Sequence, residues 1–326
     1  MKKPTIKDVA KLAGVSPSTV SRVLSNNKMI SDKTSERVRQ AIEELNYTIN
    51  YSARSLAVSD SQTVAVVLDR GPGLSLNNSF FVEILQAIAL ELVQYNKELL
   101  LIFSSSDEDE RKRVENLTKS NRVDGLIKLS IRNDDSTIKY LTENKYPAVI
   151  IGTPEKGVDI SYVDNDNVKA MYEVCSYLIN QGKSRLAFVG GSEQYIVTRN
   201  RRSGYEKALT DNNLYFGKED QYYVEFSKED AYNRAGEILE KDYDAIVCTD
   251  DLIALGIIER ANELKDKVVV TGFNNSLEAK LSNNKIATVD INAPLLGKKA
   301  VDLLMSRIEE DSEPKGILVE TEFIVR

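Results

Sequence analysis

The chain has 326 residues, a length that predicts two or three packed units. Of these residues 42% are hydrophobic and 29% are charged, which is ordinary for a soluble globular protein. It contains no histidine, which removes the usual general base, the Ser-His-Asp and Cys-His catalytic arrangements and the most common zinc ligand. Carboxylate or lysine chemistry stays open, but an enzyme is disfavoured, and we expect neither a metal nor a cofactor.

Targeting and redox signals are equally sparse. The sequence has no apolar run of about 18 residues and no N-terminal signal peptide, so we expect a cytoplasmic protein that does not enter a membrane. The two cysteines, Cys175 and Cys248, lie within apolar patterns, which favours a buried, reduced pair over a disulfide.

The net charge of −7 is unevenly distributed. Residues 1–57 carry ten Lys and Arg against five acidic residues, and the rest of the chain carries 33 basic and 45 acidic residues. This division predicts that only the basic N-terminal segment approaches a polyanion such as DNA. An incidental excess of charge on a solvated surface would give the same count.

The N-terminal segment is predicted to form short helices. Thr5 and Asp8 have the spacing of a capping pair, Gly14 can end the first helix in the left-handed conformation, and Ser16-Pro17 begins a second helix. With a third helix as support, this pattern is typical of a helix-turn-helix unit, whose second helix enters the major groove. A small helical hairpin docked on a larger domain is the alternative. The exposed side of the second helix would carry Ser18, Thr19, Ser21 and Arg22.

From Thr63 onward, short apolar strands alternate with amphipathic helical stretches. This alternation predicts an α/β fold of parallel sheets with helices on both faces, and because the pattern occurs twice, breaking near residues 163–165, we expect two lobes. The predicted strands are Val64–Leu68, Leu99–Phe103, Gly125–Leu129, Ala148–Ile151, Leu186–Val189, Tyr222–Phe226, Ala245–Cys248 and Val268–Thr271, followed by Ile286–Ile291 and Ile317–Val325.

Ligands of open parallel sheets bind beyond the carboxyl ends of the strands. Gly71 and Gly73 follow one such end, but Leu76 breaks the G-x-G-x-x-G spacing of a dinucleotide site. Asp250 and Asp251 follow another. Because adjacent residues at a strand end point in different directions, we expect one ligand contact and one structural cap rather than a catalytic pair.

Residues 5–24, TIKDVAKLAGVSPSTVSRVL, resemble the DNA-binding head of the lac repressor (LacI/GalR) family. The resemblance continues through Glu44–Tyr47 and Asn50–Ala57. It implies a helix-turn-helix head over residues 1–48 that binds double-stranded operator DNA, with Pro17, Ser18 and Arg22 at the base-reading positions. The positions implied to contact mainly phosphates are Thr5, Ser16, Thr19, Ser21 and Tyr47.

Residues 49–60 are implied to form a hinge helix. In the family this helix orders on operator DNA, pairs with its twin and inserts a leucine into the minor groove; Leu56 is the matching residue, Ala53 lies on the same face, and Asn50 opens the segment. From the residues alone, the stretch is too short to be a stable isolated helix, and a plain linker is the alternative.

The resemblance extends over residues 61–326 and implies the two-lobed periplasmic-binding-protein fold. Lobe 1 would comprise about 61–162 plus 292–318, and lobe 2 about 163–291 plus 319–326. Aromatic faces that stack on a ring, together with planar polar groups that match paired hydroxyls, suit a sugar. The implied effector contacts are Phe80, Phe81, Arg201, Phe226, Asp250, Asn274 and Asp290.

The implied effector follows from resemblance to one branch of the family. Gly272-Phe-Asn-Asn275 stands where many members have Gly-(Phe/Tyr)-Asp-Asp, so the lac-type ligand does not follow. The stretches 163–168 and 289–292 look most like the maltose-operon repressor branch, which favours maltose or a maltooligosaccharide. We therefore expect a homodimeric repressor on a pseudo-palindromic operator. Another sugar, a co-repressor, or a sugar-binding protein without a regulatory role stay open.

Overall fold

The computed structural model describes residues 4–24, 29–47, 61–68 and 78–326. The chain divides into an N-terminal unit, Met1–Ser61, and a larger unit, Gln62–Arg326. The predicted hinge residues Asn50, Ala53 and Leu56 lie outside the described residues, as does the glycine-containing segment 69–73.

The described part of the N-terminal unit consists of three helices around a small apolar core. They are α1 (Ile6–Ala13), α2 (Pro17–Leu24) and α3 (Asp32–Glu44). One apolar face of each helix is buried in this core, which comprises Val9, Ala10, Ala13, Val20, Val23, Val38 and Ala41.

Local signals begin and end α1 as predicted. The Asp8 carboxylate accepts hydrogen bonds from the Thr5 backbone N–H (2.8 Å) and hydroxyl (2.7 Å), so an acid occupies the positive end of the helix. Gly14 ends the helix with φ 64°, and the N–H of Val15 donates to the Ala10 carbonyl (3.0 Å). Gly14 thereby turns the chain towards α2.

The larger unit contains two parallel sheets. The first has six strands in the order β11-β5-β4-β3-β1-β2. Its strands are β1 (Thr63–Val67), β2 (Glu98–Ile102), β3 (Gly125–Lys128), β4 (Ala148–Ile151), β5 (Ser161–Asn165) and β11 (Gly316–Val319). Its helices are α4 (Ser79–Gln94), α5 (Asp107–Lys119), α6 (Ser136–Glu143) and α12 (Ala293–Glu309).

The second parallel sheet has four strands in the order β7-β6-β8-β9. These are β6 (Leu186–Gly190), β7 (Gln221–Tyr223), β8 (Ala245–Cys248) and β9 (Val269–Thr271). Its helices are α7 (Asn167–Asn180), α8 (Ile196–Asp211), α9 (Lys228–Leu239), α10 (Asp251–Leu264) and α11 (Leu277–Leu281), with a 3-10 turn at Lys218–Asp220. An antiparallel pair, β10 (Thr288–Asp290) and β12 (Glu322–Ile324), accompanies it. We call the parts built on the first and second sheets the first and second lobes.

The chain passes between the lobes after Asn165, near Ile291 and after Val319. The Asn165 amide donates to the carbonyls of Ile291 (3.1 Å) and Val319 (2.9 Å). One buried side chain therefore fastens all three passages together. This arrangement places the carboxyl ends of both parallel sheets around one cleft, as the fold class predicts.

Two strand predictions need correction. The strand pattern predicts a break near residues 163–165, but this stretch is the end of β5. Its last two residues, Asp164 and Asn165, are polar and are buried at the cleft. Residues 317–325 are predicted as one strand, but they pass from one lobe to the other and contain most of β11 and all of β12, which belong to different sheets.

Two further features of the described residues concern membranes and thiols. No helix combines the length and the apolar character that a membrane span requires. Cys175 and Cys248 are both buried and unbonded, as predicted, and burial raises the pKa of both thiols.

The same substitution at two glycines should have opposite effects. Gly14→Ala should destabilise the N-terminal unit by about 1 kcal/mol, because a left-handed φ costs a residue with a Cβ about that much. Gly236→Ala lies in α9, where the nearest atom to an added Cβ is 4.0 Å away, and should stabilise by roughly 0.5 to 1 kcal/mol. Thermal denaturation followed by circular dichroism measures both. A Gly14→Ala protein as stable as the parent would contradict the left-handed conformation assigned to Gly14 at the end of α1.

Candidate ligand cleft and nucleic-acid interface

The second helix of the N-terminal unit exposes a row of short polar side chains. Ser16 begins α2: its hydroxyl accepts from the Thr19 N–H (3.2 Å) and is bonded to the hydroxyls of Ser18 (2.7 Å) and Thr19 (2.9 Å). Pro17, Ser18, Ser21 and Arg22 are exposed, whereas Val20 and Val23 on the opposite face are buried.

This face has the chemistry of a DNA-reading helix. Hydroxyl groups can bond to base edges or phosphates, and an arginine can pair with guanine. Thr5 is exposed at the start of α1, and Tyr47 packs half-buried against the core of the unit. The structure thus leaves most of the predicted contact residues on the surface.

A cleft of about 770 Å³, open solvent at its mouth included, lies between the two lobes. Six of the seven predicted effector contacts line it: Phe80, Phe81, Arg201, Phe226, Asp250 and Asn274. The seventh, Asp290, is not among the described residues that line the cleft. The Asp290 carboxylate accepts hydrogen bonds from the Asn275 amide (2.7 Å) and the Asn292 N–H (2.8 Å).

Aromatic pairs form two of the cleft walls. On the first lobe, Phe80 and Phe81 meet edge to face with ring centroids 4.9 Å apart. On the second, Tyr195 and Phe226 meet in the same way at 5.5 Å. The Phe226 ring lies against Gly191, where an added Cβ would be 2.2 Å from it, so glycine is required there. These walls offer apolar faces from both lobes.

Arg201 supplies a buried positive charge. Only 6% of the residue is exposed, and its guanidinium lies 3.6 Å from the centroid of the Phe273 ring. Its Nε donates to Asn167 (2.8 Å) and one terminal nitrogen donates to the Thr249 carbonyl. Burial lowers the pKa of Arg201 to about 10, against the opposing charges of Asp250 and other nearby acids. The group therefore stays charged at neutral pH, with at most three N–H groups left for a ligand.

Asp250 is a buried carboxylate with hydrogen-bond donors on both lobes. One oxygen accepts from the Leu252 N–H (2.7 Å) and so caps α10. The other accepts from the amides of Asn274 (2.8 Å) and of Asn78 on the first lobe (3.1 Å). Burial, assisted by the charge of Asp251, raises the pKa of Asp250 to about 7. All three hydrogen-bond partners are donors and favour the ionised form.

Asp251 points away from Asp250 and fastens the neighbouring loop. It accepts from the Ser276 N–H (2.7 Å) and the Thr288 hydroxyl (2.7 Å). The loop carries Asn274 with φ 105°, a conformation that residues with a Cβ rarely adopt, and the Asn274 N–H is bonded to the Val289 carbonyl (2.9 Å). Asp251 thus holds the Asn274 amide against Asp250.

Sequence reasoning missed a second carboxylate in the cleft. Asp164, 6% exposed, accepts from the Thr153 N–H (2.7 Å), the Thr153 hydroxyl (2.8 Å), the Asn167 amide (2.9 Å) and the Asn165 N–H (2.8 Å). Burial raises the pKa of Asp164, against these hydrogen bonds. The only signal in the sequence was the place of Asp164 in the stretch 163–168, which carries part of the family resemblance. The other missed polar residues that line the cleft are Asn78, Ser130, Thr153, Asn165 and Tyr195.

A second set of contacts joins the lobes outside the cleft. The N–H and hydroxyl of Ser79, at the start of α4, donate to the two oxygens of Glu278 (3.2 and 2.5 Å), and the Leu277 N–H donates to the Ser79 hydroxyl (3.1 Å). We call these contacts the Ser79–Glu278 clasp. A carboxylate at the positive end of a helix is stabilised by the helix dipole.

Comparison with known proteins gives consistent matches over both units. The family described as bacterial regulatory proteins of the lacI family matches residues 5–50, and the periplasmic binding proteins and sugar binding domain of the LacI family match residues 62–326. The chain is 38% identical to the HTH-type transcriptional regulator MalR of Streptococcus pneumoniae, over 96% of this chain and 95% of that protein.

Two solved structures share the fold. A CelR–cellobiose complex has a TM-score of 0.76 and 28% identity, with 99% of both chains covered. The lac repressor dimer bound to operator and the anti-inducer ONPF has a TM-score of 0.87 and 24% identity, with 100% of this chain and 98% of that chain covered.

Removing the clasp should loosen the closed arrangement of the lobes. Glu278→Ala deletes two hydrogen bonds across the lobes and leaves every cleft-lining side chain in place, so the protein should show a larger radius of gyration in small-angle X-ray scattering. Glu309→Ala, an exposed glutamate at the end of α12, is the matched control and should scatter like the parent. Identical scattering by all three proteins would contradict a role for the clasp in closure.

Proposed function

Because the chain belongs to the LacI family of bacterial transcriptional regulators, we propose that it represses a sugar-utilisation operon and that a small sugar releases it from operator DNA. The observation that carries this proposal is the cleft. Two aromatic pairs face a set of fixed polar groups there, and apolar walls with a few oriented polar groups suit the two sides of a sugar ring.

Maltose or a maltooligosaccharide is the favoured effector. The similarity to MalR supports this choice, and the similar CelR structure is a complex with cellobiose, a glucoside. Six of the predicted effector contacts line one cleft, which supports a direct role of these residues in sugar binding. The same site could take another glucoside, or a co-repressor with the opposite effect on DNA binding.

The DNA partner is proposed to be a pseudo-palindromic operator bound by a homodimer. Two-fold symmetry presents two α2 helices, so two half-sites are required. Ser18 and Arg22 would read bases, and the exposed hydroxyls would set the register on the phosphates. Leu56, predicted from the sequence to enter the minor groove, lies outside the described residues.

The proposed switch couples the lobes to the DNA head. A sugar that bonds to groups of both lobes favours their closure, and closure displaces the paired hinge segments. By linkage, operator DNA weakens sugar binding by the same factor by which the sugar weakens operator binding. The test is an operator titration with and without a panel of glucosides. If no glucoside changes operator affinity, the proposed effector class is wrong.

Arg22→Ala should reduce the preference for operator over random duplex. A base-reading arginine contributes about 1 to 3 kcal/mol of discrimination, so the specificity ratio should fall at least fivefold per half-site. Arg37→Ala on α3 is the control for the loss of one exposed positive charge in the same unit, and should weaken binding to both DNAs alike. Competition binding at constant salt measures both ratios. An unchanged ratio for Arg22→Ala would remove it from the reading face.

Sugar affinity should fall as the pH falls through about 7. A hydroxyl that donates to Asp250 needs the carboxylate form, which is complete above the raised pKa and lost below it. Below pH 7 each unit should cost up to about tenfold in affinity. Isothermal titration calorimetry with maltose between pH 5.5 and 8 measures this slope. Asp250→Asn should bind weakly with a flat profile; a flat profile in the parent would exclude Asp250 as the acceptor.

A further inference from the structure

Among the residues that the structure describes, the cleft is lined by more negative than positive charge. Of the described side chains that line it, three carry a formal charge, namely Asp164, Asp250 and Arg201. Asp251 lies directly behind them, fully buried, and its charge also acts on Arg201. Three carboxylates thus surround one guanidinium in a region from which water is largely excluded, where like charges repel strongly.

The groups that normally bind anions are already engaged. The Nε of Arg201 donates a hydrogen bond to Asn167, and one terminal nitrogen donates to the Thr249 carbonyl. The planar face of the guanidinium packs on the Phe273 ring. At most three of its five N–H groups remain, so it offers a phosphate fewer contacts than a guanidinium without protein partners does.

Two of the helix N-termini at the cleft, the other common anion sites, are engaged as well. The start of α8, which also lines the cleft, has no side-chain cap, and its Ile196 N–H donates to the Ile131 carbonyl (3.2 Å). At the start of α4, the Ser79 N–H donates to the Glu278 carboxylate and the Phe80 N–H donates to the Asn78 side chain (3.0 Å). At the start of α10, the Leu252 N–H donates to Asp250. The starts of α4 and α10 therefore already face a protein carboxylate.

Neutral hydrogen-bonding capacity, in contrast, remains. The buried hydroxyl of Ser130 lines the cleft and has no hydrogen-bond partner within the described part of the chain. Asp250 keeps lone pairs that can accept from a hydroxyl. The aromatic pairs supply apolar surface on both lobes.

We infer that the cleft selects an uncharged sugar and rejects the same sugar once it is phosphorylated, with Asp164 and Asp250 as the residues that exclude the phosphate. The inference rests on the proposed function, because it concerns the effector of the same cleft. The inference restricts the effector to the free, unphosphorylated saccharide. The reaction that phosphorylates that sugar would then remove the effector.

Three ligands of one series separate charge from size. Maltose, 6′-O-methylmaltose and maltose 6′-phosphate, with the corresponding cellobiose series, are titrated into the full-length protein by calorimetry at pH 7.5. We expect the free sugar and its methyl ether to bind in at least one series and the phosphate to bind at least a hundredfold more weakly. The discrimination should shrink at pH 5.5, since the phosphate is then largely a monoanion, its second pKa being about 6, and Asp250 is protonated.

A charge-removing variant tests the assigned residues. Asp250→Asn should weaken maltose but not the phosphate, so that the ratio between them falls at least tenfold; Asp211→Asn, an exposed acid at the end of α8, should leave the ratio unchanged. A ratio for Asp250→Asn equal to that of the parent would overturn its part in exclusion.

The remaining outcomes are distinct. Equal binding of the phosphate and the free sugar overturns the inference while the proposed function stands. Equal rejection of the methyl ether and the phosphate overturns it too, because size would then be the cause. If no free sugar of either series binds or releases operator DNA, the proposed function fails and the inference fails with it.

Discussion

Asp250 is a buried carboxylate that takes hydrogen bonds from both lobes, and it is central to the electrostatics of the cleft. Removing Asp250 from water raises its free energy, and three donors offset that cost: the Leu252 N–H and Asn274 amide of its own lobe, and the Asn78 amide of the other. Because one donor is on the first lobe, separating the lobes removes a partner from a buried charge. The electrostatics of the cleft and the closure of the lobes are therefore coupled. A ligand bonded to Asp250 would change both.

The hydrogen bonds around the cleft allow the lobes to move while each sheet stays intact. The Asn165 amide fixes the three passages between the lobes, so the lobes can move about them without unfolding either sheet. Asp251 ties Ser276 to the start of α10, and two residues later Glu278 reaches back to Ser79, the neighbour of Asn78. A short series of hydrogen bonds and neighbouring residues thus connects the carboxylate that lines the cleft to the clasp outside it. Such a series gives the closed form a defined set of bonds to break.

Local signals were predicted best from the sequence. Capping pairs and a left-handed glycine act over three or four residues, and α1 and α2 begin and end where Thr5, Gly14 and Ser16 indicated. The lacI family and its MalR-like branch are confirmed.

The features that the sequence did not predict are mainly buried polar residues. β5 was missed because its polar residues serve the cleft, and Asn78 was missed because its partner Asp250 is 172 residues away. Asp290 came from resemblance alone, and its carboxylate is bonded to Asn275 and Asn292 instead of lining the cleft. Periodicity does not encode such pairings.

The central claim is that Asp250 is a buried, ligand-sensitive carboxylate. The most direct measurement is a pH titration of its side-chain ¹³Cγ signal by NMR, assigned with Asp250→Asn, in the free protein and with saturating maltose or cellobiose. The account predicts a midpoint near 7 in the free protein and a lower midpoint with bound sugar, because a donated hydroxyl favours the carboxylate. A midpoint near that of an ordinary aspartate in both states, unmoved by either sugar, would contradict it.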